Sequence, residues 1–253
     1  MIKAILSIFI LSLSLSALSD VEENTISPMV LIKSGSFFMG SDKGDPDESP
    51  VHKVTIDYDF YMGKYEVTLG EYNKCVLEGS CREPLKDKDF KYMCLEDNCP
   101  VMKVSWNDAQ DYVKWLSKQT GEKYRLPTEA EREYAARAGT NTMFSSGDNN
   151  QSLNDTSWYL SNSEYRTHKV GTKKPNAWGL YDMHGNVWEW CEDTFASYNF
   201  TPKDGSAYVG EGKKVVRGGS WDNIPKALRS ANRGALPANF RNYFFGFRVV
   251  KEK

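Results

Sequence analysis

Between Ser105 and Gly121 the apolar residues Ala109, Tyr112, Val113 and Leu116 recur at i, i+3, i+4 and i+7. That spacing lines one face of a helix, with Ser105 opening it and Gly121 closing it. Two more helices are marked by their starts. Thr68-Leu69-Gly70-Glu71 is a capping box, whose helix runs to about Leu77 and stops near Gly79. Pro127-Thr128-Glu129-Ala130-Glu131 repeats the pattern and carries Tyr134, Ala135 and Ala138 before Gly139. Elsewhere the period shortens. Pro28 to Gly40 predicts two short strands around Ser34-Gly35, and Val51 to Tyr61 alternates as one half-buried strand. An acidic loop, Ser41 to Pro50, separates them. Beyond Gly139 the pattern predicts short strands and long loops, ending in a strand over Gly246 to Val250. With no linker, repeat or low-complexity tract, the pattern predicts one α+β domain with little regular secondary structure.

The first residues follow another pattern. Lys3 precedes an apolar run, Ala4 to Leu18, and Ala17-Leu18-Ser19 fits a small-x-small cleavage site before Asp20. The run is short for a bilayer span, so residues 1–19 read as a cleaved signal peptide and residues 20–28 as a lead. A periplasmic or secreted bacterial protein is expected, with no membrane attachment after cleavage. Cysteine usage agrees. Cys75, Cys81, Cys94 and Cys99 cluster, and Cys191 stands apart. An oxidising compartment would pair the four, with three connectivities open. Cys75–Cys81 and Cys94–Cys99 are favoured because each closes a short local loop. A four-thiolate zinc site is the rival, but its knuckles usually have tighter spacing. The formal charge of -2, with basic residues scattered, gives no nucleic-acid footprint. Aromatic residues are abundant, with 7 Trp, 14 Tyr and 12 Phe. They suit a loop-rich fold stabilised by large flat side chains.

Several phrases occur together in a telling order: MVLIKSGSFFMG, KYEVTLGEY, PVMKVSWNDAQDYVKWL, YRLPTEAEREYAARAGT, NAWGLYDMHGNVWEWCED, VVRGGSW and GFRVV. In this the chain resembles the sulfatase-modifying-factor family, the domain of formylglycine-generating enzymes. The likeness spans about Met29 to Val250. It implies a formylglycine-generating-enzyme-like fold, an elaborated C-type lectin architecture. Known relatives range from copper-dependent oxidases and iron sulfoxide synthases to siderophore-maturation proteins and ligand-binding proteins, so activity must be read from the residues.

The segment YDMHGNVWEW, Tyr181 to Trp190, fits neither the helix nor the strand period. The resemblance implies a structural calcium there, held by Asp182 and Glu189 through side chains and by Gly185 and Val187 through carbonyls. Hard-cation chemistry suits such oxygens, and Gly185 permits the turn that aims carbonyls inward. The competing reading has no metal, with Asp182 capping a turn. Asn162 and Glu164 are weaker candidates for a second site. Trp188 and Trp190 are expected on opposite sides of the segment, one toward the core and one toward a pocket. His184 is expected as a solvent-facing turn residue. Arg132 stands where the family usually has Trp, so it is expected either exposed or beside a local carboxylate such as Asp108 or Glu129.

The copper enzymes of the resembled family use two thiolates a few residues past the RGGS motif, and Cu(I) is a soft ion suited to sulfur. Here the motif is Arg217 to Ser220 followed by Trp221, and no Cys occurs after Cys191. The three histidines, His52, His168 and His184, are scattered and give no facial triad. Ser220 lies in no nucleophile elbow. Arg217, Arg229, Arg233, Arg241 and Arg248 interleave with aromatics, a mixture that either lines a groove or braces loops. The expected function is an exported, non-copper, ligand- or partner-binding member of the resembled family, with Trp188, Ser220 and Trp221 as pocket candidates. Its partner would be a protein, a peptide or a small aromatic ligand. The alternative is an oxidase of the same family with a different active site.

Overall fold

The computed structural model describes residues 28–85 and 93–253. The expected signal peptide therefore lies outside the described residues. The first strands, β1 (Met29–Ile32) and β2 (Gly35–Met39), flank the predicted Ser34 turn. The single strand expected over Val51 to Tyr61 is instead two, β3 (His52–Ile56) and β4 (Phe60–Gly63), which join different sheets. Asp59, between them, accepts the Ser34 N–H at 3.0 Å.

The three predicted helices form where their caps place them: α1 (Leu69–Leu77), α2 (Trp106–Thr120) and, after β5 (Tyr124–Arg125), α3 (Glu129–Arg137). Each opens with a reciprocal capping box, from Thr68 to Glu71, Ser105 to Asp108 and Thr128 to Glu131. Gly121 closes α2 in the left-handed region at φ 74. The loop-rich half then holds one short α-helix, α4 (Leu153–Thr156), two 3-10 turns, and the strands β6 (Trp188–Thr194), β7 (Lys214–Arg217) and β8 (Arg233–Leu236). The predicted terminal strand is also split, into β9 (Phe245–Gly246) and β10 (Val250–Glu252).

Two four-stranded sheets run in the orders β1-β4-β10-β5 and β8-β7-β6-β9, and β2-β3 forms a separate ribbon. The short pair β6/β9 is parallel. One core packs α1 and α2, through Tyr72, Val113 and Leu116, against Trp190 and Phe247. A second joins the first sheet and the ribbon to α3 and the loops around Met183 and Tyr198. The favoured disulfides, Cys75–Cys81 and Cys94–Cys99, are both present, with Cα separations of 5.2 and 5.6 Å. Those separations lie in the ordinary range for a disulfide. The chain is a mixed α+β domain, as expected.

Candidate functional site

The Tyr181–Trp190 segment is a buried, irregular turn that runs into β6. Two non-glycine residues, Asp182 (φ 57) and Asn186 (φ 59), adopt left-handed backbone around Gly185 (φ 125). A Cβ on Gly185 would lie 2.2 Å from the Trp158 carbonyl oxygen, so both conformation and space demand glycine. Asn186 staples the turn. Its Oδ1 accepts the His168 N–H at 3.0 Å, and its Nδ2 donates to Glu66 Oε1 at 3.2 Å.

His184 is 2% exposed, not solvent-facing. Its Nε2 accepts from the Ser145 N–H at 3.0 Å, which leaves Nδ1 to donate to the Leu228 carbonyl at 2.8 Å. Burial pushes the ring down to about 4, so it is neutral at physiological pH. Trp188 and Trp190 also differ from expectation. Both indoles pack on the same core cluster, Trp190 fully and Trp188 partly buried. Residues two apart on a strand share a face.

Glu189 is fully buried, and its oxygens face two guanidinia. Oε2 accepts from Arg132 Nε and Arg248 Nε, each at 2.7 Å. Oε1 accepts from Arg132 Nη2 at 3.0 Å and Arg248 Nη2 at 2.8 Å. Arg132 is thus neither exposed nor beside Asp108 or Glu129; its carboxylate lies 57 residues along the chain. Burial alone would raise the Glu189 carboxyl, but the two guanidinia hold it below its ordinary value.

Asp182 Oδ2 accepts the Gly171 N–H at 2.7 Å, while Asp182 Oδ1 and Glu66 Oε2 are buried without a donor. Burial and then the Asp182 charge push Glu66 well above the ordinary carboxylate range, and burial pushes Asp182 up to about 6. The Gly171 N–H and then the Arg248 charge hold Asp182 back from a larger rise. Glu66 was not read from the sequence. The available signal was a carboxylate between Tyr65 and Val67, just after a buried strand.

The four candidate calcium ligands can be tested on this geometry. A carboxylate has roughly four lone-pair positions, and the four Arg N–H bonds named above take those of Glu189. Among the described residues no group of three or more His, Cys, Asp or Glu could hold a metal ion. As arranged here, Glu189 does not fit a calcium ligand.

The pocket candidates are gathered near the same strand but are closed. Ser220 is fully buried, and its Oγ donates to Asn223 Oδ1 at 3.0 Å. Trp221 is 2% exposed and packs near Phe244, with ring centroids 5.4 Å apart. The five interleaved arginines are braces. Arg217 pairs with Glu133, Arg229 with Glu48, Arg233 with Glu129, Arg241 with Asp108 and Arg248 with Glu189. Cys191 is fully buried, and burial, then Asp193 and Glu129, push its thiol well up. Such a thiol is a poor nucleophile or metal ligand.

A cavity of about 650 Å³ opens elsewhere, between β2, the acidic loop and the loop after α3. Phe38, Val51 and Met143 supply its apolar wall, and Phe38 is 57% exposed. Lys43, Asp42, Asn141 and Asp148 supply polar groups. An adjoining cleft of about 340 Å³ shares Phe38 and Asn141 and adds Phe37, Tyr134 and Trp178. Sequence patterning did not single out this region.

Residues 15–253 match the model of the sulfatase-modifying factor enzyme 1-like domain. The structure of PvdO from Pseudomonas aeruginosa is similar at 35% identity and a TM-score of 0.84, covering 91% of this chain and 96% of that one. The formylglycine-generating enzyme of Mus musculus is 31% identical over 78% of this chain and 66% of its own. A serine/threonine-protein kinase pkn1 of Chlamydia pneumoniae is 30% identical over 89% of this chain, which spans only 38% of that relative's length. The chain belongs to the family of sulfatase-modifying factor enzyme 1-like domains.

Proposed function

We propose that this chain is an exported member of the family that acts by holding a ligand or partner, without copper-thiolate chemistry. The observation that carries the reading is the absence of any Cys after Cys191. A Cu(I) centre built on two thiolates has no sulfur beyond the RGGSW motif, and the buried Cys191 is a poor substitute. Export is supported by the apolar leader and by two disulfides, which suit an oxidising compartment. No helix among the described residues is long and apolar enough to cross a membrane.

The 650 Å³ cavity and its neighbour are the binding surface of this reading. Exposed Phe38 and half-buried Phe37 and Trp178, beside a few polar groups, suit a peptide or a small aromatic ligand. The test is turnover of a Cys-x-Pro-x-Arg peptide with copper and oxygen. No formylglycine should form, and conversion of the peptide would overturn the reading. An oxidase with a different active site is the second reading, favoured by the 31% identity to a formylglycine-generating enzyme. Oxygen uptake beyond the buffer rate, with the peptide or with small phenols, would decide for it.

A further inference from the structure

Arg132 reaches the buried turn from α3 and shares both Glu189 oxygens with Arg248. Besides Glu189, its Nη2 donates to the Met183 carbonyl at 3.0 Å. Arg248 Nη2 donates to the Tyr181 carbonyl, also at 3.0 Å. The two guanidinia thus take Glu189 and the backbone oxygens on both sides of Asp182. Hard cations are held by that set of groups, carboxylate plus backbone carbonyl. A space has been kept for the side chain, too. A Cβ at Gly218 would lie 2.8 Å from Arg132 Nη2, so the first glycine of the RGGS motif lets the guanidinium pass.

Charge points the same way. Of the three buried carboxyl groups, Glu66, Asp182 and Glu189, it is Glu189 that meets both guanidinia, and with Arg248 alone it would keep only half of its charged hydrogen bonds. A buried carboxylate needs a partner of opposite charge. Arg132, 1% exposed, supplies the second fixed positive charge.

We infer that in this chain the Arg132 guanidinium does the work of the structural cation of the Tyr181–Glu189 turn, so that the domain folds without calcium. A fixed cation has consequences that a bound one does not. It cannot be chelated, and its contribution does not depend on external calcium. The turn, and β6 behind it, would then hold their shape in calcium-poor surroundings.

The experiment compares the purified full chain with an Arg132→Gln variant. Both are examined by metal analysis, by melting temperature with and without chelator, and by calorimetric titration with calcium up to the millimolar range of extracellular calcium modules. The wild type should carry no stoichiometric calcium, should melt at the same temperature with chelator and with calcium, and should give no binding heat. The Gln variant frees lone pairs on Glu189 and should melt lower, regaining part of the loss when calcium is added and binding one ion per chain. Stoichiometric calcium in the wild type, or a melting temperature that falls with chelator, overturns the inference. So does a folded variant that ignores calcium. Should the variant fail to fold, the wild-type measurements decide by themselves.

Discussion

Helices α2 and α3 lie close in the chain and begin with the same capping device, yet they are buried in different ways. α2 follows its pattern: Ala109, Tyr112, Val113 and Leu116 face the core, while Asp111 and Lys114 face solvent. All nine residues of α3 are buried, and five of them are charged. Each charge is met, four of the five by a partner outside the helix. Glu129 pairs with Arg233, Glu131 with Arg125, Arg132 with Glu189, and Glu133 with Arg217 and Arg137. Many of these partners come from the loop-rich C-terminal half, 57 to 104 residues away. α2 is held by an apolar stripe. α3 is held by ion pairs, whose strength depends on completeness, because a buried charge that loses its partner costs more than the pair contributes.

The largest effect should come from breaking that completeness. Glu133→Ala takes away the closest carboxylate of Arg217, leaving it only Glu129 at 3.6 Å, and deprives Arg137 of its partner, and should cost about 3–5 kcal/mol in urea or thermal unfolding. A loss below that of a surface substitution would mean that α3 is not held by its pairs. On the other helix, Leu116→Ala empties a fully buried site and should cost about 2–5 kcal/mol, with little dependence on salt or pH. Reducing the disulfides should lower the melting temperature, with a stability loss of about 2 kcal/mol for each short loop on the chain-entropy account. Equal melting with and without reductant would show that these bridges contribute nothing.

One part of the pH response should follow His184, against an opposite contribution from Asp182, whose carboxyl is raised to about 6. Its folded value of about 4 lies below the ordinary 6.5, so between those values the unfolded chain binds more protons. The stability held by neutral His184 is complete above about 6.5 and is lost as pH falls toward 4. Melting temperatures over that window should decline less in His184→Gln than in the wild type; parallel curves would remove His184 from the account. The smallest effect belongs to the outer face of α2. Lys114 lies 3.8 Å from Asp111 and is largely exposed, and Lys114→Ala should change stability by less than about 0.5 kcal/mol.

What the sequence revealed follows from the same contrast. The capping boxes of α1, α2 and α3, the two disulfides and the family phrases are local signals, and each led to the element it predicted. The strands were harder. Val51 to Tyr61 alternates throughout, but the turn at Asp57 to Asp59 sends its halves into different sheets. The site was least legible. Nothing beside Arg132 in the chain indicates Glu189, nothing beside Glu66 indicates Asp182, and His184 in a glycine-bearing turn reads as exposed until Leu228 and Ser145 close over it. The absence of cysteine past Cys191 needed no fold, because a missing ligand type is visible in the sequence itself.

The central claim is that this family member builds no copper-thiolate centre and holds its Tyr181–Glu189 turn with Arg132 rather than with calcium, and native mass spectrometry tests it most directly. The pure chain would be exposed separately to Cu(I) and to calcium and then desalted. The account predicts the mass of the bare, disulfide-bonded polypeptide in both cases. One retained copper ion per chain would contradict the absence of a thiolate centre, and one retained calcium would contradict the role given to Arg132.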